Sequence, residues 1–172
     1  MSIGIEYYTE ASELFSYDSE TGIFTKKTSY KGSRGSIGDV AGTTHKKGYR
    51  ELSATVNKVR KKLKAHRVAW FMVHGELPDQ VDHINQDRGD NRMVNLRACT
   101  NGQNKINTGI AKNNTSGHKC IGYYDEKGRN NKWMVKITKD KKVFRRWYST
   151  LEEAIVARDV FYDVAHGEFV PK

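Results

Sequence analysis

"VDHINQDRGDNRMVNLR", residues 81–97, sets one histidine, three aspartates and three asparagines between two apolar ends. Asn, Asp and Gly are turn formers, so the bland reading of this stretch is a solvated surface loop. Its flanks argue for more. "VDHI" reads as a short strand entering the loop, and "NLRACT" as its antiparallel return. Thr100 precedes Gln103 by three residues, the spacing of a capping box, which predicts a helix from Asn101 to near Gly109. Upstream, "RVAWFMVH", residues 67–74, reads as a short buried helix ended by Gly75, with Pro78 beyond it. The whole unit is strand, loop, strand, helix, with Asp82 and His83 side by side on the first strand.

That pairing has a chemical use. Cutting a phosphodiester requires a base that deprotonates water and a cation that neutralises charge on the phosphate and the leaving oxygen. Histidine suits the first task, because its ordinary pKa of about 6.5 leaves it largely neutral at cellular pH. Carboxylate and amide oxygens suit the second, because Mg²⁺ and Mn²⁺ prefer oxygen ligands and keep several waters. Neighbours on a strand point to opposite faces, so one of Asp82 and His83 can serve a cation while the other serves water. A second ligand is expected from Asn104, inside the predicted helix, where it can reach back across the hairpin. Asn95, where the loop rejoins the return strand, can both donate and accept and is expected to brace the loop under His83. His66 and His74 flank the buried helix and read as structural. A zinc site from His66, His74, His83 and Cys99 would need a spacing that no familiar finger uses.

Composition points to the substrate class. The 172 residues hold 30 Lys and Arg against 20 Asp and Glu, a formal charge of +10, so a polyanionic partner is expected. Residues 1–110 carry 17 basic and 12 acidic side chains and residues 111–172 carry 13 and 8, so each part is +5 and both can touch the same polymer. Two cysteines without a C-x-x-C pattern exclude a disulfide framework and a cysteine-rich zinc site. "MSIGIEYYTEASELF" has neither the basic start nor the apolar run of a leader, and no stretch approaches a membrane span, so a soluble, unexported chain without membrane contact is expected.

Around the central unit, residues 15–30 read as a hairpin turning at Glu20-Thr21-Gly22, followed by a glycine-rich loop from Gly32 to Gly42. "GYRELSATVNKVRKKLKAHR" reads as two strands turning near Asn57-Lys58. Between Lys58 and Arg67 lie six basic side chains and no acidic one. A lysine-protected edge strand and a phosphate-contacting strand are both open there. Polar "AKNNTSG", residues 111–117, marks a linker. Beyond it come three strand-like runs, "CIGYYDE", "KWMVKITKD" and "KVFRRWYS", the last two meeting at Asp140-Lys141, and a helix capped by Thr150 and Glu153. Leu151, Ala154, Ala157, Phe161 and Ala165 form its apolar stripe, and Gly167 ends it. On the middle strand Trp133, Val135 and Ile137 should meet the helix, leaving Met134, Lys136 and Thr138 outward.

Residues 65–107 resemble the HNH motif of the free-standing and intron-encoded homing endonucleases of phages, with His83, Asn95 and Asn104 spaced by 12 and 9 residues and the upstream His66-Arg67 also in place. That resemblance implies Asp82 and Asn104 as metal ligands, His83 as general base and Asn95 as the structural middle residue. Residues 115–169 resemble the APETALA-type DNA-binding domain of plant ethylene-response factors, also found fused to phage HNH nucleases. The landmarks are "SGHKCIGYY", "KWMVKI", "STLEEAIVARD" and the closing "HGEF". It implies a three-stranded sheet in the DNA major groove with a helix behind it. On the third strand, family precedent turns Val143, Arg145 and Trp147 toward the helix and leaves Lys142, Phe144 and Arg146 outward. Arg145 departs from this pattern, as does Gly122, where plant members carry an arginine.

The expected architecture is α+β. It comprises an HNH domain over residues 1–110 with amino-terminal β-hairpins, a linker at 111–117, and a three-stranded sheet with one helix over 118–172. The expected function is a site-preferring, homing-type endonuclease that hydrolyses double-stranded DNA with one Mg²⁺ or Mn²⁺. It would be a monomer without small-molecule cofactor, working in the cytoplasm of a bacterial cell and encoded by phage or bacterium. The expected DNA contacts are Arg60, Lys62, Lys64, Arg67, Arg97, Lys136, Thr138, Lys142, Phe144 and Arg146. The alternative is a non-catalytic DNA-binding protein on a degenerate HNH fold. A general RNA-binding protein is the weakest reading, because neither module resembles a single-strand reader.

Overall fold

The computed structural model describes residues 3–29, 35–128, 130–139 and 142–167. These form a mixed α+β structure of four α-helices and four small antiparallel sheets, in two compact units, Met1–Asn104 and Lys105–Lys172. Among the described residues, no helix is long and apolar enough to cross a membrane.

The first unit opens with α1 (Glu6–Leu14), which local sequence pattern does not announce. Its buried Tyr7, Tyr8 and Ala11 give one apolar face, but tyrosines and a single alanine are a faint periodic signal. Strands β1 (Phe15–Tyr17) and β2 (Phe24–Lys26) pair as the expected hairpin. Gly22 in its turn has φ +71°, and a Cβ there would lie 2.5 Å from the Arg92 backbone nitrogen, so only glycine fits. The glycine-rich loop lies partly outside the described residues, from 30 to 34.

A three-stranded sheet follows in the order β3 (Thr43–Thr44), β4 (Arg50–Val56), β5 (Val59–Lys64). Asn57 and Lys58 join β4 to β5 with φ of 50° and 64°, the two left-handed positions of a tight hairpin turn. Helix α2 (Ala65–His74) starts directly after β5, two residues before the expected Arg67, and so takes in His66. It ends at Gly75, whose left-handed backbone donates its N–H to Phe71 O at 2.8 Å. The core gathers Leu52, Ala54 and Leu63 from the sheet, Val68 and Ala69 from α2, and the buried face of α1.

Against this core lies the second hairpin, β6 (Gln80–His83) and β7 (Leu96–Cys99), in which Asp82 faces Arg97 and His83 faces Leu96. Met93–Asn95 form one 3₁₀ turn before β7. Helix α3 (Asn101–Asn107) stops two residues short of Gly109. Its capping box is reciprocal: Thr100 N–H donates to Gln103 Oε1 at 2.7 Å, and Gln103 N–H donates to Thr100 Oγ1 at 3.3 Å.

In the second unit, β8 (Ile121–Tyr123), β9 (Trp133–Lys139) and β10 (Lys142–Tyr148) form a meander of order β10-β9-β8, backed by α4 (Leu151–His166). The turn at Asp140-Lys141 and the closing Glu168 and Phe169 lie outside the described residues. Thr150 caps α4, accepting from Glu153 N–H. The stretch expected as a linker is hydrogen-bonded into this unit: Asn114 Nδ2 and Ser116 Oγ both donate to Ile121 O. Lys119 reaches back to the carbonyls of Lys105, Ile106 and Thr108, satisfying the otherwise open end of α3.

Val135 and Ile137 are buried with Ala154 and Tyr162, as the alternation of β9 requires. The third strand departs from expectation. Phe144 pairs with Ile137, and its ring lies 4.1 Å from that of Phe161 on α4. Lys142, Phe144 and Arg146 therefore share the helix-side face, while Val143, Arg145 and Trp147 share the other face with Thr138, Lys136 and Met134, of which Met134 is buried rather than exposed as expected. The physical reason is pairing: residues opposite each other in an antiparallel ladder share a face, so β9 dictates the parity of β10. Gly122 lies opposite Met134, and a Cβ there would fall 2.8 Å from the Tyr124 ring, which explains glycine where the resemblance expects arginine.

The capping box makes α3 a test of the fold. Thr100→Ala removes one of its two bonds and should lower stability by about 1 kcal/mol, whereas Thr100→Ser should keep it. Denaturant midpoints of the two variants measure the difference.

Candidate active site

Strand β6 places Asp82 and His83 on opposite faces, and the two side chains meet opposite surroundings. Asp82 is buried and accepts from Arg97 through Oδ2, at 3.1 Å from Nε and 2.9 Å from Nη2. Cross-strand pairing brings the two together. Arg97, expected as a DNA contact, is engaged with Asp82, its side chain 15% exposed.

The His83 face is aromatic. The His66 ring stands edge-on at 4.8 Å from His83, and Tyr49 lies 5.4 Å from His66 and 6.1 Å from His83. Cations lie over Tyr49, with the Arg88 guanidinium at 5.0 Å and Lys64 Nζ at 4.9 Å from its centroid. Burial lowers the pKa of His83, against the opposing pull of the Asn91 hydrogen bond and the carboxylates of Asp82, Asp87 and Asp90. The imidazole is thus kept neutral. His66 is held neutral more strongly, with burial first and then the His83, Arg67 and Lys64 charges taking its pKa to about 3. Its Nδ1 is buried without a hydrogen-bond partner among the described residues.

Most of the oxygen-bearing side chains that crowd the sequence hold the loop itself. Asn95 Oδ1 accepts from Asn85 N–H at 3.0 Å and its Nδ2 donates to Asp90 O at 2.9 Å, so one side chain ties both arms of the loop. Asn85 and Asp87 cap successive turns, accepting from Asp87 N–H and Gly89 N–H. Asp90 is gripped by Arg92 at 2.8 and 2.7 Å, and that hydrogen bonding holds its pKa at about 2. Asn91, buried to 2% exposure, donates from Nδ2 to Gly89 O at 3.1 Å and turns Oδ1 toward His83 Nε2 at 3.4 Å.

Other expected DNA contacts have partners within the first unit. Glu51 from β4 pairs with Lys64 at 2.6 Å and with Lys62 at 3.4 Å, an acid that the local sequence of β5 does not contain. Arg67 donates to the carbonyls of Pro78 and Asp79 and to Tyr8 Oη, fastening the segment after α2. Arg60 is exposed. Asn104 is half-buried on α3, its N–H donating to Thr100 O. Among the described residues, no three His, Cys, Asp or Glu side chains converge on a metal-sized site.

Residues 63–106 match the family model of HNH endonucleases. That segment is similar to HNH endonucleases. It contains Asp82, His83, Asn95 and Asn104 as well as Asn91, Arg88 and His66. A solved structure titled "DNA binding and cleavage by the HNH homing endonuclease I-HmuI" is 19% identical, with 90% of this chain and 84% of that chain covered and a TM-score of 0.41. No curated protein matches the chain.

Sequence reasoning missed Tyr49 and Asn91 beside His83, and Arg88 over the Tyr49 ring. Asn91 is one of several loop amides, and Tyr49 lies 34 residues before His83, so only folding brings them together.

The neutral His66 predicts a pH dependence. Its folded pKa lies below the unfolded value of about 6.5, so below that pH the unfolded chain takes up a proton that the folded one refuses. Stability should be full above pH 6.5 and fall toward pH 3, by up to about 1.4 kcal/mol per pH unit from this residue. Urea midpoints between pH 7.5 and 4.5 should fall less steeply in His66→Phe. Equal slopes would show that His66 is not the buried neutral group.

Proposed function

We propose that the chain is a DNA endonuclease that hydrolyses phosphodiester bonds with one divalent cation, in the manner of site-preferring homing enzymes. The observation that carries this reading is the juxtaposition, within the HNH segment, of a neutral, hydrogen-bonded His83 and a buried carboxylate on the other face of the same strand. His83 is the general base that takes a proton from the attacking water. Asp82 and Asn104 would hold the cation, and their carboxylate and amide oxygens fit Mg²⁺ or Mn²⁺, whose remaining positions are filled by water and phosphate. When bound, the cation supplies neutralisation of the charge that grows on the phosphate and leaving oxygen. Arg97 holds and orients Asp82, Asn95 braces the loop beneath His83, and Arg88 lies with its guanidinium over the Tyr49 ring that neighbours His83.

The second unit is proposed as an APETALA-type reader of double-stranded DNA. Its outward face carries Lys136, Thr138 and Arg145 beside Trp147 and Tyr124, basic and aromatic groups suited to phosphate and base-edge contact. Lys142 and Arg146 are exposed on the helix side, and Phe144, partly buried, packs against the core. One observation favours the alternative of a non-catalytic DNA-binding protein: the Arg97–Asp82 pair occupies the carboxylate that a cation needs.

Supercoiled plasmid and host genomic DNA, incubated with Mg²⁺, Mn²⁺ or chelator, decide between the two. His83→Ala should leave affinity for DNA nearly unchanged and slow cleavage by about a hundredfold or more. Asp82→Ala and Asn104→Ala should each weaken the response to Mg²⁺. Cleavage in excess chelator would sink the metal-based reading, and no cleavage by the parent under any condition would favour the binding protein.

The outward face has its own test. Lys136→Ala combined with Arg145→Ala should weaken binding, relax site preference and make the salt dependence shallower, by about 0.9 in slope for each phosphate that is no longer neutralised. Lys142→Ala should do less. If the double variant keeps the parent's slope and site preference, the basic sheet is a solvated surface.

A further inference from the structure

Asn91 is the link between the catalytic hairpin and the amino-terminal one. Three contacts from the β1–β2 hairpin hold the backbone of residues 91–93. Tyr17 Oη donates to Asn91 O at 2.7 Å, Ser19 O accepts from Met93 N–H at 2.9 Å, and Gly22 packs so closely on residues 91 and 92 that no Cβ fits. The hairpin turn is itself rigid, since Asp18 accepts from the N–H groups of Glu20 and Thr21 and from the Thr21 hydroxyl. Burial, then the charges of Asp18 and Asp90, push the Tyr17 pKa up to about 12, so its hydroxyl stays a donor.

The side chain of Asn91 is equally determined. Gly89 O can only accept, so the amide atom 3.1 Å from it is the NH₂ group, and the atom turned to His83 is the carbonyl oxygen. A carbonyl oxygen can only accept, so His83 Nε2 must carry the proton. The separation of 3.4 Å is long, as catalytic hydrogen bonds commonly are before substrate binds. In a neutral imidazole a proton on Nε2 puts the basic lone pair on Nδ1.

We propose that Tyr17 and Asn91 are positioning residues for the reaction: the amino-terminal hairpin fixes Asn91, and Asn91 fixes His83 as the Nε2–H tautomer whose Nδ1 accepts the proton of water. This rests on His83 being the general base. It gives the hairpin, which lies outside the matched HNH segment, a part in the chemistry. Loss of the acceptor lets the ring rotate or change tautomer, which lowers turnover without altering DNA binding.

The test uses the full chain with ¹⁵N-labelled histidine. The ring nitrogen shifts of His83 near pH 8 should report Nε2–H in the parent and in Asn91→Asp, which keeps an acceptor. In Asn91→Leu they should report a mixture of tautomers. With plasmid substrate, Asn91→Leu should lower kcat by at least about tenfold at unchanged KM, and Tyr17→Phe by about three- to tenfold, as for the removal of one hydrogen bond. Should Asn91→Leu fail to fold, Tyr17→Phe decides, because it removes a single hydroxyl: parent kcat and a parent His83 spectrum in that variant overturn the proposal. A parent-like spectrum and turnover in folded Asn91→Leu overturn it as well. Full activity in His83→Ala would instead remove the reading on which it rests, while the tautomer measurement would still stand.

Discussion

The loop between β6 and β7 needs its polar backbone satisfied at a place that no strand or helix reaches, and Asn95 meets that need. Its one amide accepts from the N–H at residue 85 and donates to the carbonyl at residue 90, while its backbone oxygen accepts from Ile84 N–H. An amide of this kind, buried and unsatisfied, costs about 1–3 kcal/mol, so the loop closes around this residue or not at all. Two strands of four residues are marginal on their own. Everything the site does depends on their staying paired, because the pairing aims Asp82 one way and His83 the other.

That division produces the electrostatics. Arg97, brought across by the ladder, compensates a carboxylate that would otherwise be costly to bury. On the other face, burial beside the rings of His66 and Tyr49 disfavours the charged form of His83, and the Asn91 carbonyl orients it. Two adjacent residues therefore meet opposite surroundings, the carboxylate beside a guanidinium and the imidazole among rings. A strand achieves this at the smallest separation in sequence, since its neighbours point to opposite faces.

Charge counted along the chain overstates the surface offered to a polyanion. Glu51 draws Lys62 and Lys64 to itself, Arg67 fastens a turn, and Arg97 holds Asp82. In the second unit the two faces of β10 exchange the characters that analogy assigns them: Arg145 stands outward and Phe144 turns toward the helix against Phe161. The hydrogen-bonded register with β9 is what sets that parity.

The sequence by itself determined the local devices. Both capping boxes, the Asn57-Lys58 turn, the glycine end of α2 and the strand, loop, strand, helix order are encoded within a few residues, where spacing and turn chemistry act directly. It also presented Asp82, His83, Asn95 and Asn104 in one motif. Tertiary structure decided what those residues meet. Tyr17, Tyr49, Glu51 and His66 all lie far from their partners in sequence, and α1 is stabilised chiefly by burying two tyrosines against the sheet, a contact with little periodic signature. Pairing across strands and packing between elements are relations between distant residues, so no local pattern records them: they exist only once the chain has folded.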